Sequence, residues 1–375
     1  MRKIDSFGVA TANLINQSVW FTTVECNLLF RYDLQLKKIE TVCEFDEKGE
    51  FLFIDTILYQ NKLIFIPYTS KKIYVYDMNL FQLKSYTFNI RKEVESVEEK
   101  RFITAILHES CVYFIPYYTG DSLVVVNLKD DSVIEKQFLY DRDIRRQFSS
   151  GSYIKINDKL YLELLMQDKL ICIELGNLKY QILTIEGLDD FVDSIFTVDN
   201  KKYYLWTSHG RLCRFGIYKD KIVLESNYYN PILIKGYYYR PFVCEKKYGV
   251  FDIMSGNTII VDIEKFFFKI INSEDSEFNY LLYRMGYPKN WSYIIIDHKL
   301  MIMPMTCKNI MELDLSKESI ICQSRKVQIE DMKKYAKNMN IYNKFRIKCI
   351  NYEDVMGLDF FVNYIELMIN EIKED

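Results

Sequence analysis

The chain reads as all-β: seven repeats of a four-stranded antiparallel sheet, followed by one C-terminal amphipathic α-helix. Three observations carry this. First, an apolar strand, a polar turn and a second apolar strand recur as VWFTTVECNLLFRYD (19–33), IFIPYTSKKIYVYD (64–77), VYFIPYYTGDSLVVVN (112–127), LYLELLMQDKLICIE (160–174), YYLWTSHGRLCRFG (203–216), GVFDIMSGNTIIVD (249–262) and LMIMPMTCKNIMELD (300–314). Second, each phrase closes on a marker position, Asp33, Asp77, Asn127, Glu174, Gly216, Asp262 and Asp314, which is acidic or an amide in all but the fifth repeat. Third, successive markers lie 44, 50, 47, 42, 46 and 52 residues apart, the length of a four-stranded unit with its connections.

Each repeat divides into strands a to d. The a–b turns are Asn16-Gln17, Gln60-Asn61-Lys62, His108-Glu109-Ser110, Asn157-Asp158-Lys159, Asp199-Asn200-Lys201, Glu245-Lys246-Lys247 and Asp297-His298-Lys299. Asn, Asp and similar polar residues suit tight hairpins because they tolerate left-handed backbone angles and bond their own main chain. The b–c turns use Gly, Ser, Thr or Asp, as in Thr69-Ser70, Gly120-Asp121, Gln167-Asp168, His209-Gly210 and Ser255-Gly256-Asn257. Strand c is rich in Val, Ile and Leu and ends at the marker. Strand d is shorter and more polar, as an outer edge strand should be. Pro67, Pro116 and Pro304 recur at one position, in Phe65-Ile66-Pro67-Tyr68, Phe114-Ile115-Pro116-Tyr117 and Ile302-Met303-Pro304-Met305. Proline cannot donate to a ladder, so it marks the end of strand b or a bulge there. The competing reading is a rim of Pro-Tyr motifs around a pocket, which makes Tyr68 and Tyr117 candidate binding residues.

A single such sheet cannot bury both of its faces. Radial stacking buries them, and closing the ring removes the large sheet edges. On these grounds the pattern over about residues 5 to 331 resembles a seven-bladed β-propeller, of the broad class that includes WD-repeat and kelch proteins. The WD-repeat signature is missing, although Tyr32-Asp33, Tyr76-Asp77 and Leu313-Asp314 stand where a Trp-Asp would fall, and there is no kelch Gly-Gly doublet. The resemblance therefore implies architecture and no particular function.

Residues 1–331 form the expected propeller and 332–375 a helical extension. In the extension Val355, Leu358, Val362, Ile365, Ile369 and Ile372 follow spacings of 3, 4, 3, 4 and 3, widened by Phe361 and Met368. That is the rhythm of an amphipathic helix. Asn351 and Asp354 supply N-terminal capping chemistry. The helix either packs on the propeller itself or docks a partner or a second copy through Val355, Leu358, Phe361, Val362, Ile365 and Ile369.

Composition limits the function classes. The 375 residues are 49% hydrophobic with a net charge of -3, and acids and bases are interspersed. No basic block offers the footprint expected for nucleic acid. No window reaches eighteen apolar residues, so no membrane span is expected, and Asn13, Asn16 and Gln17 interrupt any signal-like N-terminal run. The nine cysteines are scattered singly without a C-x-x-C pair. Free reduced thiols and a cytoplasmic location are expected, with no zinc site.

Catalytic patterns are absent from the sequence. There is no H-E-x-x-H, G-x-S-x-G, P-loop or G-x-G-x-x-G. No cofactor, metal or catalytic residue is assigned. Of the three histidines, His108 and His298 fall in a–b turns, and His209 sits in the b–c turn Ser208-His209-Gly210-Arg211, where it and Arg211 offer an anion site. Acid pairs such as Asp189-Asp190 read as loop residues. The a–b and c–d turns are short and form one end of each sheet. The b–c turns and the longer d–a connections (89–102, 139–152, 226–240, 272–291) form the other. Those connections carry Arg101, Arg145, Arg146, Tyr238, Arg240, Tyr287 and Trp291, and Tyr, Trp and Arg dominate binding hot spots; the alternative for Tyr237–Tyr239 is a strand a entering the core. The expectation is a non-catalytic propeller that recognises a peptide or protein through this end. The alternative is a hydrolase or lyase acting on a carbohydrate or small metabolite at a central channel.

Overall fold

The computed structural model of the full chain describes residues 9–23, 27–33, 38–47, 51–89, 100–118, 121–137, 152–164, 167–198, 201–218, 221–229, 238–244, 247–252, 258–263, 267–271, 290–296, 299–304, 310–315 and 322–325. They contain strands and turns and no helix. The extension at 332–375 lies outside them, with the helix expected there.

The strands group in fours, each group an antiparallel meander in chain order. The first group is Val9–Ile15, Ser18–Thr23, Leu28–Asp33 and Lys38–Glu44 (β1 to β4). Then come Phe53–Tyr59, Lys62–Pro67, Lys72–Asp77 and Gln82–Thr87 (β5 to β8). The third is Phe102–His108, Cys111–Pro116, Ser122–Asn127 and Val133–Gln137 (β9 to β12). The fourth is Tyr153–Ile156, Lys159–Glu163, Lys169–Glu174 and Tyr180–Glu186 (β13 to β16). The fifth is Val192–Val198, Lys202–Thr207, Arg211–Tyr218 and Lys221–Tyr229 (β17 to β20). The sixth is Tyr238–Cys244, Lys247–Asp252, Thr258–Asp262 and Phe267–Ile271 (β21 to β24). The last is Asn290–Ile296, Lys299–Pro304, Ile310–Asp314 and Cys322–Arg325 (β25 to β28).

Two compact units result, residues 1–85 with 274–375, and residues 86–273. In the first unit β1 lies beside β5 and β25. Trp20, Leu29, Phe45, Phe53, Phe65, Tyr74 and Tyr76 form the core between its first two meanders. In the second unit β17 lies beside β13 and β21. The fourth meander shows how burial is divided. Leu160, Leu162, Ile171 and Ile173 pack toward the third meander, with Ile115 and Val125. The alternate residues Tyr161, Leu170 and Cys172 pack toward the fifth, with Leu205 and Cys213. Both faces are buried, so strands b and c read as continuous apolar runs. Outer strands such as β8 keep mostly exposed side chains. The fifth meander departs from the pattern. Its outer strand β20 is long, and it pairs in parallel with β16 through Ile185 with Ile222 and Glu186 with Val223, joining two meanders into one eight-stranded sheet.

The repeated turn chemistry has a common physical basis. Asn16, Gln60, Glu109 and Asn157 all take positive φ, near 50° to 55°, in the a–b turns. In the c–d turns Asp77 Oδ1 accepts from the Asn79 and Leu80 amides, and Asn127 Oδ1 accepts from Lys129 N at 3.0 Å. The residue after the marker then donates its amide to the a–b turn of the same meander: Met78 to Asn61 O, Leu128 to Ser110 O and Leu175 to Asp158 O, each at 2.8 Å. That residue is apolar in every repeat, and Leu128, Leu175, Ile263 and Leu315 are buried. The marker is thus a turn cap beside an apolar plug. At Gly216 no such turn forms, because β19 runs on to Tyr218. A Cβ at Gly216 would stand 2.4 Å from the Tyr218 ring and 2.6 Å from Glu225 Oε1.

The opposite end is built on bulges. One residue is extra in strand a at Ala10, Ile54, Ile103, Asp193 and Trp291, with a like shift across Arg240 and Pro241. Pro67, Pro116 and Pro304 are each the last residue of strand b, opposite the start of the bulged strand. The prolines therefore mark the end of strand b, and the bulge lies beside them in strand a rather than in their own strand.

Replacing Leu175 with Ala should cost about 2–5 kcal/mol, the range for truncating a buried Leu. Asn127→Ala should cost about 1 kcal/mol, as for loss of a capping side chain. Chemical denaturation measures both.

Candidate functional site

The bulged end of the second compact unit concentrates polar groups. Asp189 and Asp190 lie on the connection into β17, Ser208 and His209 lie on the turn between β18 and β19, and Arg211 begins β19. Asp190 is the hub. Its Oδ1 accepts from His209 Nδ1 at 2.5 Å, from Ser208 Oγ at 3.1 Å and from the Phe191 amide at 2.7 Å, and its Oδ2 accepts from Arg211 Nε at 3.2 Å. Arg211 Nη1 donates to Asp189 Oδ1 at 2.7 Å. Burial pushes the Asp190 carboxyl up, but hydrogen bonds from Thr207, His209, the Phe191 amide and Ser208 outweigh it and hold the group below the usual range. With two carboxylates on one guanidinium, the cluster carries no net positive charge. Its geometry therefore differs from the simple anion site expected of His209 and Arg211. It is also no serine-hydrolase triad, because Ser208 and Asp190 both lie on the Nδ1 edge of the ring.

The second meander holds a similar clamp. Glu47 accepts from Ser70 Oγ and from Lys71 N, both at 2.7 Å, and Asp46 engages Lys72 and Tyr74. In both meanders an acid pair on the incoming connection grips a serine and a base on the b–c turn.

Deeper in the fourth and fifth meanders lie three buried groups, Glu163, Asp193 and Ser152. Ser152 Oγ accepts from Ile195 N at 2.9 Å and donates to Glu163 Oε2 at 3.0 Å, linking β17 to β14. Burial pushes the Asp193 carboxyl up to about 8, helped by the negative charges of Glu163 and Asp190. These acids were not anticipated, yet the repeat alignment marks them. Glu163 is the fifth residue of strand b, where the other repeats carry Thr22, Ile66, Ile115, Trp206, Phe251 and Met303. Asp193 is a bulge residue where others carry Ala10, Ile54, Ile103 and Trp291.

The remaining expected site residues are dispersed. Arg101 is buried just before β9, and its carbonyl accepts from Tyr117 N at 2.8 Å. Tyr117 is also buried. Lys100 Nζ lies 4.8 Å from its ring centroid and donates to its hydroxyl at 3.2 Å. Tyr68 is buried against Phe51, ring centroids 4.4 Å apart. Tyr238 lies in β21, in line with the alternative of an incoming strand a, and Arg240 and Trp291, expected on loops, belong to strands β21 and β25, because strand a begins before its bulge. Arg145, Arg146 and Tyr287 lie outside the described residues. No group of three or more His, Cys, Asp or Glu among the described residues is arranged to hold a metal. No helix there is long and apolar enough to cross a membrane. Cys43, Cys111, Cys172 and Cys213 are free thiols, and burial pushes Cys43 and Cys213 up to about 12.

No protein-family model matches the chain, and no curated protein matches it. Solved structures do. A catalytically inactive virginiamycin B lyase from Staphylococcus aureus, with quinupristin, is similar at 10% identity and a TM-score of 0.59, over 81% of this chain and 94% of that one. The β-propeller domain of Myceliophteria thermophila Cps50 (Swd1) is similar at 8% identity and TM-score 0.56, over 81% and 95%. Kluyveromyces lactis Hsv2 is similar at 10% identity and TM-score 0.53, over 86% and 98%. The fold is that of a β-propeller.

The raised Asp193 carboxyl sets a pH dependence. With a native value of about 8 against an ordinary 3.8, the folded chain keeps this proton where the unfolded chain releases it. The Asp193 contribution to stability therefore falls as pH rises from about 4 to 8. Asp193→Asn should raise the unfolding free energy at pH 8, by about 1.4 kcal/mol per pK unit removed, and with it the unfolding temperature, and leave both nearly unchanged at pH 4. Thermal melts of both proteins across that range check it.

Proposed function

We propose that the chain is a seven-bladed propeller, one blade per meander, that binds a peptide or protein through the end formed by its b–c turns and d–a connections. One observation carries the reading. Outside the fifth repeat the described a–b and c–d turns are built alike, whereas the bulged residue ranges over Ala10, Ile54, Ile103, Asp193, Arg240 and Trp291. Uniform turns serve the fold, and bulges that re-aim individual side chains serve recognition. Single Arg240→Ala and Trp291→Ala variants should lose partners that wild type captures from source cells, while Lys129→Ala, on a c–d turn, keeps them. Quantitative mass spectrometry of the captured proteins decides. Identical capture by all four proteins refutes the reading. The seam Val355, Leu358, Phe361, Val362, Ile365 and Ile369 would add a docking or self-association surface, and a cytoplasmic location goes with the free thiols.

A second reading, an enzyme of the hydrolase or lyase class on a carbohydrate or small metabolite, draws on the Asp193 carboxyl beside Glu163. A carboxyl that keeps its proton near neutrality is suited to general acid work. Turnover lost in both Asp193→Asn and Glu163→Gln, with folding intact, would favour it.

A further inference from the structure

The Asp190 hub does more than staple a turn. Its two oxygens hold two different functional groups side by side, the His209 imidazole on Oδ1 and the Arg211 guanidinium on Oδ2. The Asp190 side chain is 0% exposed, while that of His209 is 47% exposed. The carboxylate is acceptor-only, so the His209 nitrogen facing it must donate. In the neutral ring that places the proton on Nδ1 and leaves a lone pair on Nε2, at the other edge of a half-exposed ring. Arg211 spends Nε on Asp190 and Nη1 on Asp189, two of its five N–H donors, on a side chain that is 16% exposed.

We propose that His209 and Arg211 form a small reactive site for carbonyl compounds of the ester class, with His209 Nε2 as nucleophile and Arg211 as the donor that holds the carbonyl oxygen. In the step, the Nε2 lone pair forms a bond to the carbonyl carbon, and the bond from that carbon to the alcohol oxygen breaks. The alcohol leaves with that electron pair as an alkoxide or phenolate. Water then adds to the acyl-imidazolium carbon. The C–N bond breaks with its electrons returning to Nε2, and carboxylate and protons are released to solvent. No oxidant, reductant or metal enters the balance. Asp190 is a positioning residue here, since it fixes the tautomer and stabilises the charged ring without touching the ester. The site is independent of the partner-binding reading, and either stands if the other fails.

The test uses the full chain and p-nitrophenyl acetate. Wild type should release p-nitrophenolate at least tenfold faster than His209→Gln, with circular dichroism showing both folded. His108→Gln, in a different meander, should match wild type. Peptide mass spectrometry after a short pulse should find the acetyl group on His209. A His209→Gln rate equal to wild type, or acetyl only on other residues, overturns the proposal. A measurement on unmutated protein stands beside this one: nitrogen-15 ring spectra, with the His209 signals assigned by their loss in His209→Gln. The neutral His209 ring should carry its proton on Nδ1, and a proton on Nε2 overturns the proposal whatever the esterase rates show.

Discussion

Two-faced burial is the constraint from which the described structure follows. A four-stranded meander with Leu160 and Leu162 on one face and Tyr161 and Cys172 on the other has no solvated side to offer. Alone in water it would expose both apolar surfaces, at about 25 cal/mol for each square ångström left uncovered. Each meander therefore needs a neighbour on either side, and its own strands must stay in fixed register, because a slip by one residue exchanges the two faces. The turn chemistry answers that requirement. A marker side chain caps the c–d turn, the next amide bonds back to the a–b turn, and an apolar plug is buried between them. In the second, third and fourth meanders register is thus fixed by local bonds as well as by packing.

The bulged end obeys a different rule. What recurs there is the bulge in six of the seven meanders, the strand end opposite it, and the acid clamp on the b–c turn of the second and fifth. An extra residue in strand a breaks the ladder locally and increases twist. This leaves room for side chains that the apolar layers cannot accept. Asp193 is the clearest case, a carboxyl in a position filled elsewhere by Ala10, Ile54 or Ile103. Burial of such a group is costly unless it keeps its proton. The neighbouring Glu163 and Asp190 charges push it further in that direction.

Legibility in the sequence followed the length scale of the causes. The markers, the turns and the buried runs of strands b and c were readable because local bonds and period-two burial produce them. Gly216 was readable as an exception but not as a cause, since its reason is the Tyr218 ring lying across it from the same extended strand. Arg240 and Trp291 looked like loop residues because a bulge breaks the alternation that announces a strand. Glu163 was visible only by laying all seven strands b over one another, where it is the single charged residue among Thr22, Ile66, Ile115, Trp206, Phe251 and Met303. The Asp190 hub was legible in its parts and not in its assembly. Asp190 and His209 stand nineteen positions apart, and only the folded hairpin brings the d–a connection onto the b–c turn.

The clamp on that turn explains why charge alone does not describe the bulged end. In the second meander Asp46 and Glu47 grip Ser70, Lys71 and Lys72, and in the fifth Asp189 and Asp190 grip Ser208, His209 and Arg211. Both clamps balance acids against bases within a few residues, so neither projects a strong field of one sign. What distinguishes them is the third partner. The second meander closes its clamp with the buried phenol of Tyr74, whose hydroxyl is bound by Asp46 and whose ring packs on Phe45. The fifth closes its own with a half-exposed imidazole. A phenol held in that way finishes a structural joint, because burial and the Asp46 carboxylate raise its proton affinity out of reach. An imidazole held by one edge leaves the other edge chemically open, and the same scaffold that seals one blade equips another.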